Sequence, residues 1–460
     1  MKHLTCSIFL LITFSYALAQ ELTVGVVLDT VKCLNIPAQT YALYLPTKFS
    51  KQEAKEYALL MIFEPAARGA LPVKKYKRLA EKYSVVLACS NNSKNGSWQL
   101  AFESGEAVLN DVLNKTGITK DKVYFSGFSG GSRAAIASAV LTNSRTGVIA
   151  CGAGYPNVPN YRPTNASKFK MALLCGRLDM NYHELLMVEK DLIKKGLPSL
   201  YIKGNYDHQW PDLPSMDKAF LYQFGSKTMD AQTDCRKWAI QVDSLLNKGQ
   251  LVEAVDGITE LIELSGEGNS KTDFQELLFE TQSQKEYKKD FKAYNRSLDK
   301  EREYQNEFFD AFKTIPVSRL EKVDSSAKDL EWWLLKIKRY KKLSQHSDRH
   351  KANVGHRLLN IIGLHCASTI PKYKASKDYE MAIRLNKIWV ATEQTRFWAL
   401  LTLVDTYSLN NQKKEAFNTL EQLYQLGFRN DRFGTAKNYF VNIKSDPRFS
   451  ELATKIRESN

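Results

Sequence analysis

Ser129 lies in Gly127-Phe128-Ser129-Gly130-Gly131, a G-x-S-x-G frame that directly follows the apolar run Val123-Tyr124-Phe125. A serine at the end of a strand and the start of a helix sits on a sharp turn, with its hydroxyl raised above the sheet edge. Small flanking residues are needed there because strand and helix nearly touch. The first amides of the new helix point at the same spot and can stabilise a negative oxygen. The chemistry this arrangement serves is acyl transfer through a serine nucleophile.

A serine hydroxyl is a poor nucleophile at neutral pH. It needs a base within hydrogen-bond reach, and the base needs an orienting acid. The chain has seven histidines, and His3, His346, His350, His356 and His365 lie outside the β-rich segment that carries Ser129. His183 and His208 remain. His208 belongs to the Gly- and Asn-containing loop Lys203-Gly204-Asn205-Tyr206-Asp207-His208-Gln209-Trp210-Pro211 after the last expected strand, and is the expected base. His183 falls near a helix start and reads as a surface or lining residue. For the acid, Asp179 follows the apolar run Met171 to Cys175 and is preferred over Asp111, Asp121 and Asp207. Asp207 adjoins the histidine in sequence, which makes contact with Nδ1 awkward. The other role open to Asp179 is a helix N-cap.

The oxyanion donors expected are the amide of Gly130 and that of Ala66 or Ala67, in the loop Phe63-Glu64-Pro65-Ala66-Ala67-Arg68-Gly69. Pro65 has no amide hydrogen. One such donor is worth about 3–4 kcal/mol of transition-state stabilisation. Glu64 is unusual beside a developing anion; it either ties down Arg68 or Arg133 or binds a substrate group. The polar loop Asn91 to Trp98 is placed to line a cleft, with Trp98 and Trp210 as apolar walls or as ordinary packed tryptophans.

The elements that must hold these residues alternate. Strands are expected at Gln39–Pro46, Ala58–Glu64, Ser84–Asn91, Lys122–Phe128, Gly147–Gly152, Phe169–Cys175 and Pro198–Lys203. Helices are expected at Pro72–Tyr83, Trp98–Thr116, Gly131–Leu141 and Asn181–Lys195, the last stopped by Gly196. Such alternation predicts a mostly parallel sheet covered on both faces, with ligands at the carboxyl ends of the strands.

On Gly127 to Gly131, Asp179, His208 and the strand order, residues 39 to 225 resemble an α/β-hydrolase of the secreted esterase branch that contains polyhydroxybutyrate depolymerases, feruloyl esterases and dienelactone hydrolases. The resemblance implies a Ser-Asp-His triad and an acyl-enzyme intermediate, with no cofactor and no metal. The order nucleophile, acid, histidine is the one expected of this fold. The resemblance covers under half the chain. Many relatives carry His-Gly where this chain has Glu64-Pro65, and simple esterases have no counterpart to the second half.

From about Ser226 helical periodicity dominates, with Ser226 to Thr233 as the expected linker and amphipathic stretches at Asp273–Thr314, Ala327–Ser344 and Asn353–Thr369. Trp398 to Leu403 and Lys414 to Leu420 predict two antiparallel helices joined at Asn410-Asn411-Gln412. This resembles a tetratricopeptide hairpin, with Asp446-Pro447-Arg448-Phe449 as a closing segment; a generic helical bundle is the alternative. The expected domains are 20–225, an α/β-hydrolase domain, and 226–460, a helical, tetratricopeptide-like domain.

The net charge of +15 is dispersed; its densest runs are Lys74 to Arg78 and Lys336 to Lys342. No zinc-finger, RNP or helix-turn-helix pattern accompanies them, so they read as solvated helix faces and not as a nucleic-acid site. Lys2, the apolar stretch Ile8 to Tyr16 and Ala17-Leu18-Ala19 form a secretory signal over residues 1–19. That stretch is too short for a membrane span and no later one is long enough. The expected location is secreted or periplasmic. Export permits disulfides, and a pairing of Cys33 stays open. Cys89, Cys151 and Cys175 lie in apolar runs, where a thiol packs as a small hydrophobe.

Two functions are compatible with these residues. One is an exported serine esterase acting on a small or polymer-derived ester, with a serine peptidase as its variant. The other is a non-catalytic binding protein that uses its helical half to hold a protein partner.

Overall fold

The structure, a computed structural model, describes residues 22–225, 229–266, 268–313, 328–435 and 439–458. The expected signal peptide, residues 1–19, lies outside them. Eight strands form one sheet in the order β1-β2-β4-β3-β5-β6-β7-β8, followed by a long all-helical region. This is the mostly parallel sheet with covering helices expected from the sequence. The chain divides into two compact units, with described residues 22–124 and 125–458.

The first unit contains β1 (Val27–Lys32), β2 (Thr40–Tyr44), β3 (Ala58–Phe63), α1 (Ala70–Tyr83), β4 (Val85–Ser90) and α2 (Trp98–Thr116). β1 and β4 each pair antiparallel with β2, and β3 runs parallel to β4. β3 and β4 are continuous apolar runs because both faces of the sheet are covered. Ser97 caps α2, its side chain accepting from the Leu100 amide. β1 was not expected; its register shift between Leu28 and Val31 interrupts the period-two pattern by which an edge strand is read.

The second unit begins within β5 (Val123–Phe128). It continues through α3 (Gly130–Leu141), β6 (Gly147–Cys151), β7 (Lys170–Gly176), α4 (Tyr182–Lys194), β8 (Ser199–Gly204) and α5 (Leu213–Phe224). β5 to β8 are parallel and in level register: Phe128 lies beside Cys151, Cys151 beside Leu174, and Leu174 beside Ile202. All four strands therefore end along one carboxyl edge. The pairing runs past the strand ends, with Ser129 N donating to Cys151 O, Gly152 N to Leu174 O and Arg177 N to Gly204 O, each at 2.8 Å. α5 was not expected; its start lies between Pro211 and Pro214. Asp212 caps it through the Ser215 amide at 2.8 Å, and Pro214 occupies its first turn, where no intrahelical donor is needed.

The remaining helices are α6 (Met229–Asn247), α7 (Leu251–Leu264), α8 (Asn269–Ser283), α9 (Lys285–Lys313), α10 (Leu330–Ser344), α11 (Arg349–Ala375), α12 (Tyr379–Thr392), α13 (Arg396–Leu409), α14 (Lys413–Gln425) and α15 (Pro447–Glu458). Residues 226–228 of the expected linker lie outside the described residues, and Met229 already begins α6. The single stretch expected over Asp273–Thr314 is two helices: Gln284 is extended (φ −63°, ψ 141°) and breaks α8 from α9 with no glycine or proline to mark the spot. Thr314 itself is outside the described residues. α13 and α14 pack as the expected hairpin, with Asn411 left-handed (φ 58°) at its turn.

Two apolar clusters hold α9 to α15. One runs from Phe308 and Trp333 through Leu358, Ile362 and Leu385 to Ala399; the other gathers Leu403, Phe417, Leu420, Phe433 and Phe449. The helical region and the sheet edge are joined by charge. Asp256 on α7 accepts from Arg177 at 2.6 Å and from Lys203 at 2.8 Å. Glu260 accepts from Lys218 at 2.6 Å. Contacts of this kind are why the compact unit extends across residue 225.

Candidate active site

The turn after β5 is strained in the way its sequence requires. Ser129 has φ 54° and ψ −122°, a conformation unfavourable to any residue with a side chain. The strain is imposed from both sides. The Ser129 amide is bound to Cys151 O, and its carbonyl accepts from Ser132 N at 3.0 Å as α3 starts. A Cβ on Gly127 would sit 2.1 Å from the Gly131 carbonyl oxygen, so only glycine lets strand and helix approach this closely.

Asp179 is completely buried on the loop after β7. Its Oδ1 accepts from the Asn181 amide at 2.8 Å, and the Asn181 side chain donates to Gly152 O at 2.7 Å. Asn181, not Asp179, occupies the N-cap position of α4. The preceding residues are held on two sides. Arg177 N and Leu178 N donate to Gly204 O and Tyr206 O, at 2.8 and 3.2 Å. Arg357 on α11 donates to Arg177 O at 2.5 Å, and Asn360 donates to Leu178 O at 3.3 Å.

His208 is carried by the loop after β8. Tyr206 anchors that loop by folding over Gly176, where a Cβ would stand 1.8 Å from the Tyr206 carbonyl oxygen. The imidazole then reaches both partners. Nδ1 lies 3.0 Å from each Asp179 carboxylate oxygen, and Nε2 lies 2.9 Å from Ser129 Oγ. Phe128 packs on the ring at 4.6 Å between centroids. The His208 side chain is 17% exposed and Ser129 is half-buried, so the hydrogen-bonded chain Asp179–His208–Ser129 runs outward from a fully buried acid. Burial, followed by the nearby Asp179 carboxylate, pushes the Cys175 thiol well above its ordinary value, so it is a neutral neighbour of the acid.

The other candidates go elsewhere. His183 faces α9, with Nε2 3.2 Å from Arg302. Asp207 is exposed. Asp111 accepts from Tyr41 at 2.7 Å and pairs with Lys115 at 2.6 Å, and Asp121 lies in an exposed turn before β5. Trp210 is 5% exposed and packs on Phe128 at 5.5 Å between ring centroids. Gly130 is the first residue of α3, half-buried beside Ser129.

Glu64, Ala66, Ala67 and Trp98 belong to the first unit. Glu64 is completely buried and ties down Arg68, with Oε1 accepting from Arg68 Nη2 at 2.5 Å and Nε at 3.1 Å. Arg133, the other cation considered for it, is paired with Glu184 at 2.7 and 2.8 Å. Glu64 Oε2 also accepts from the Ala66 amide at 2.7 Å, so that amide is already held by an anion. Ala67 is left-handed (φ 59°), and its amide makes a 3.3 Å turn bond to Glu64 O. Trp98 opens α2 and stacks on Phe102 at 5.7 Å.

Sequence reasoning missed the helical contribution. A groove of about 390 Å³ has Met180, Asp207 and His208 on one side and Leu364, Trp389 and Trp398 of α11 to α13 on the other. Arg357 and Asn360, which hold the Asp179 loop, also come from α11. Their only sequence signal is an arginine on the apolar side of an amphipathic helix. Among the described residues no group of His, Cys, Asp or Glu side chains is placed to hold a metal ion, and no helix is long and apolar enough to cross a membrane. All six described cysteines, Cys33 included, are buried, and none of them is in a disulfide.

No protein-family model matches the chain, and no curated protein matches it. Solved structures do. The S-formylglutathione hydrolase of Staphylococcus aureus aligns at 17% identity over 42% of this chain and 92% of its own, with a TM-score of 0.35. An arylesterase aligns at 13% identity over 44% and 83%, TM-score 0.34. A ferulic acid esterase aligns at 14% identity over 42% and 92%, TM-score 0.32.

Proposed function

We propose that the chain is an exported serine hydrolase that cleaves carboxylic esters, with Ser129 as nucleophile, His208 as proton carrier and Asp179 as orienting acid. One observation carries this reading: a single imidazole is within 2.9 Å of Ser129 Oγ and 3.0 Å of both oxygens of a buried carboxylate. Asp179 fixes the tautomer with hydrogen on Nδ1, leaving Nε2 free to take the serine proton. As Ser129 Oγ bonds to the ester carbonyl carbon, His208 becomes an imidazolium that Asp179 stabilises. The proton then passes to the leaving alkoxide as the C–O bond breaks, and the acyl group remains on Ser129. Water, deprotonated by the same imidazole, releases the acid. The amide of Gly130, at the start of α3, is the oxyanion donor of this unit, where the helix N-terminus favours negative charge. No cofactor takes part.

Residues 1–19 act as the export signal, delivering the protein to a periplasm or the cell exterior. Residues 20–225 carry the chemistry, and 226–460 form a tetratricopeptide-like accessory; the α13–α14 hairpin with its three-residue turn supports this. The solvent face of those helices is the surface for a protein partner.

The test is turnover of p-nitrophenyl acetate. His208→Ala lowers kcat/KM by at least about 10³-fold, in line with losses on removing one triad member, while His183→Ala changes it little. Equal effects of the two substitutions, or a larger effect of His183→Ala, refute the assignment.

A further inference from the structure

We propose that the groove between His208 and helices α11 and α13 holds the alcohol portion of the ester, and that the substrates are esters of extended apolar alcohols. The inference rests on the esterase reading above. It begins with the position of the groove, whose lining includes His208 and Asp207 but not Ser129. In a Ser–His mechanism the imidazole stands between the nucleophile and the departing oxygen, because the proton it takes from one goes to the other. Space beside the imidazole is therefore within reach of the group bonded to the departing oxygen. When the C–O bond breaks, Nε2–H protonates the alkoxide, the acyl group stays on Ser129 Oγ, and the neutral alcohol is left against α11 and α13.

The lining sets the alcohol's chemistry. Leu364 is 50% exposed and Trp398 66% exposed, large apolar side chains left open to water beside the one residue that carries the proton. Exposed apolar surface gathered at a concave site marks a binding surface. The groove does not end there. Ala367, Trp389, Trp398 and Thr402 also line a second space of about 650 Å³ that continues past Phe428 to Tyr439. A methyl or ethyl alcohol would leave most of this surface wet. An extended alkyl chain would cover it.

The experiment uses the full chain and two ester series: acetates of 1-alkanols from methyl to octyl, and methyl esters of acids of the same lengths. The alcohol series gains about fourfold in kcat/KM per methylene, the value expected for burying one CH₂, and gains more per methylene than the acid series. Leu364→Asp and Trp398→Ala, both at exposed positions, reduce the gain to less than about twofold. Phe279→Ala, at a still more exposed position on α8, leaves it as in wild type. A flat alcohol series in an enzyme that hydrolyses methyl acetate overturns the inference, as does a slope untouched by both groove substitutions. Calorimetric binding of octanol to Ser129→Ala, weakened at least tenfold by Trp398→Ala, supports the groove independently of turnover; no binding counts against it. If wild type hydrolyses neither series yet binds octanol in this way, it is the esterase reading that fails.

Discussion

Arg357 on α11 donates from its guanidinium to the main-chain carbonyl of Arg177 at 2.5 Å, two residues before Asp179. The same guanidinium is paired with Glu301 on α9 at 2.6 and 2.9 Å, both side chains almost fully buried. Burial works against the arginine's charge, but Glu301 outweighs it, and its pKa is raised. The helical region thus fixes the backbone that presents the acid to His208.

Breaking that pair leaves a buried charge without a partner. Arg357→Met is expected to destabilise the protein by about 3–5 kcal/mol in urea unfolding. The double variant Arg357→Met/Glu301→Leu costs markedly less than the single one, because no charge is stranded. Additive losses in the two single variants would show that the pair is not coupled.

Asp179→Asn preserves shape but favours the wrong imidazole tautomer. It is expected to lower kcat for p-nitrophenyl acetate by about 10⁴-fold, with KM little changed. A change confined to KM would assign Asp179 to substrate binding.

Gly127→Ala puts a Cβ where a main-chain carbonyl already stands, 2.1 Å away. Neither strand nor helix can yield locally, so a loss of at least about 1–3 kcal/mol is expected, together with loss of turnover. A variant with unchanged Tm would show that the turn is looser than its geometry implies.

Acid should loosen the junction between the sheet edge and α7. Burial raises the Asp256 carboxyl, but Lys203 and Arg177 outweigh it, and the net shift is downward from 3.8. Burial raises the Asp290 carboxyl too, but the hydrogen bonds from His350 and Arg349 outweigh it, and it is lowered as well. A carboxyl whose folded pKa is depressed contributes stability above its unfolded value, about 3.9, and loses it as pH falls through the folded value. The urea midpoint gap between wild type and Asp256→Asn should therefore be constant from pH 7 to about 5 and narrow below about 4. A gap that widens in acid would contradict the sign.

Much of the sheet-bearing half was legible because its signals are local. An apolar run followed by small residues around Ser129 announces a strand, a tight turn and a helix. The Gly- and Asn-containing loop at His208 follows a β-branched and aromatic run. β1 and α5 were not legible, one because its bulge breaks the alternation, the other because Pro214 serves a helix start and resembles a loop. The break at Gln284 carries no local signal. Long-range relationships were the least legible. Arg357 and Arg177 are separated by 180 positions, and no periodicity connects them. The engagement of the Ala66 amide by Glu64 is equally invisible, since it depends on a carboxylate turning back over its own loop.

A serine activated by His208 is open to covalent trapping at Ser129. The folded full-length protein is treated with a fluorophosphonate and its peptides are mapped by mass spectrometry. One adduct is expected, on Ser129 Oγ, absent in Ser129→Ala and formed far more slowly in His208→Ala. No adduct on folded wild type, or one that persists in Ser129→Ala, would contradict it.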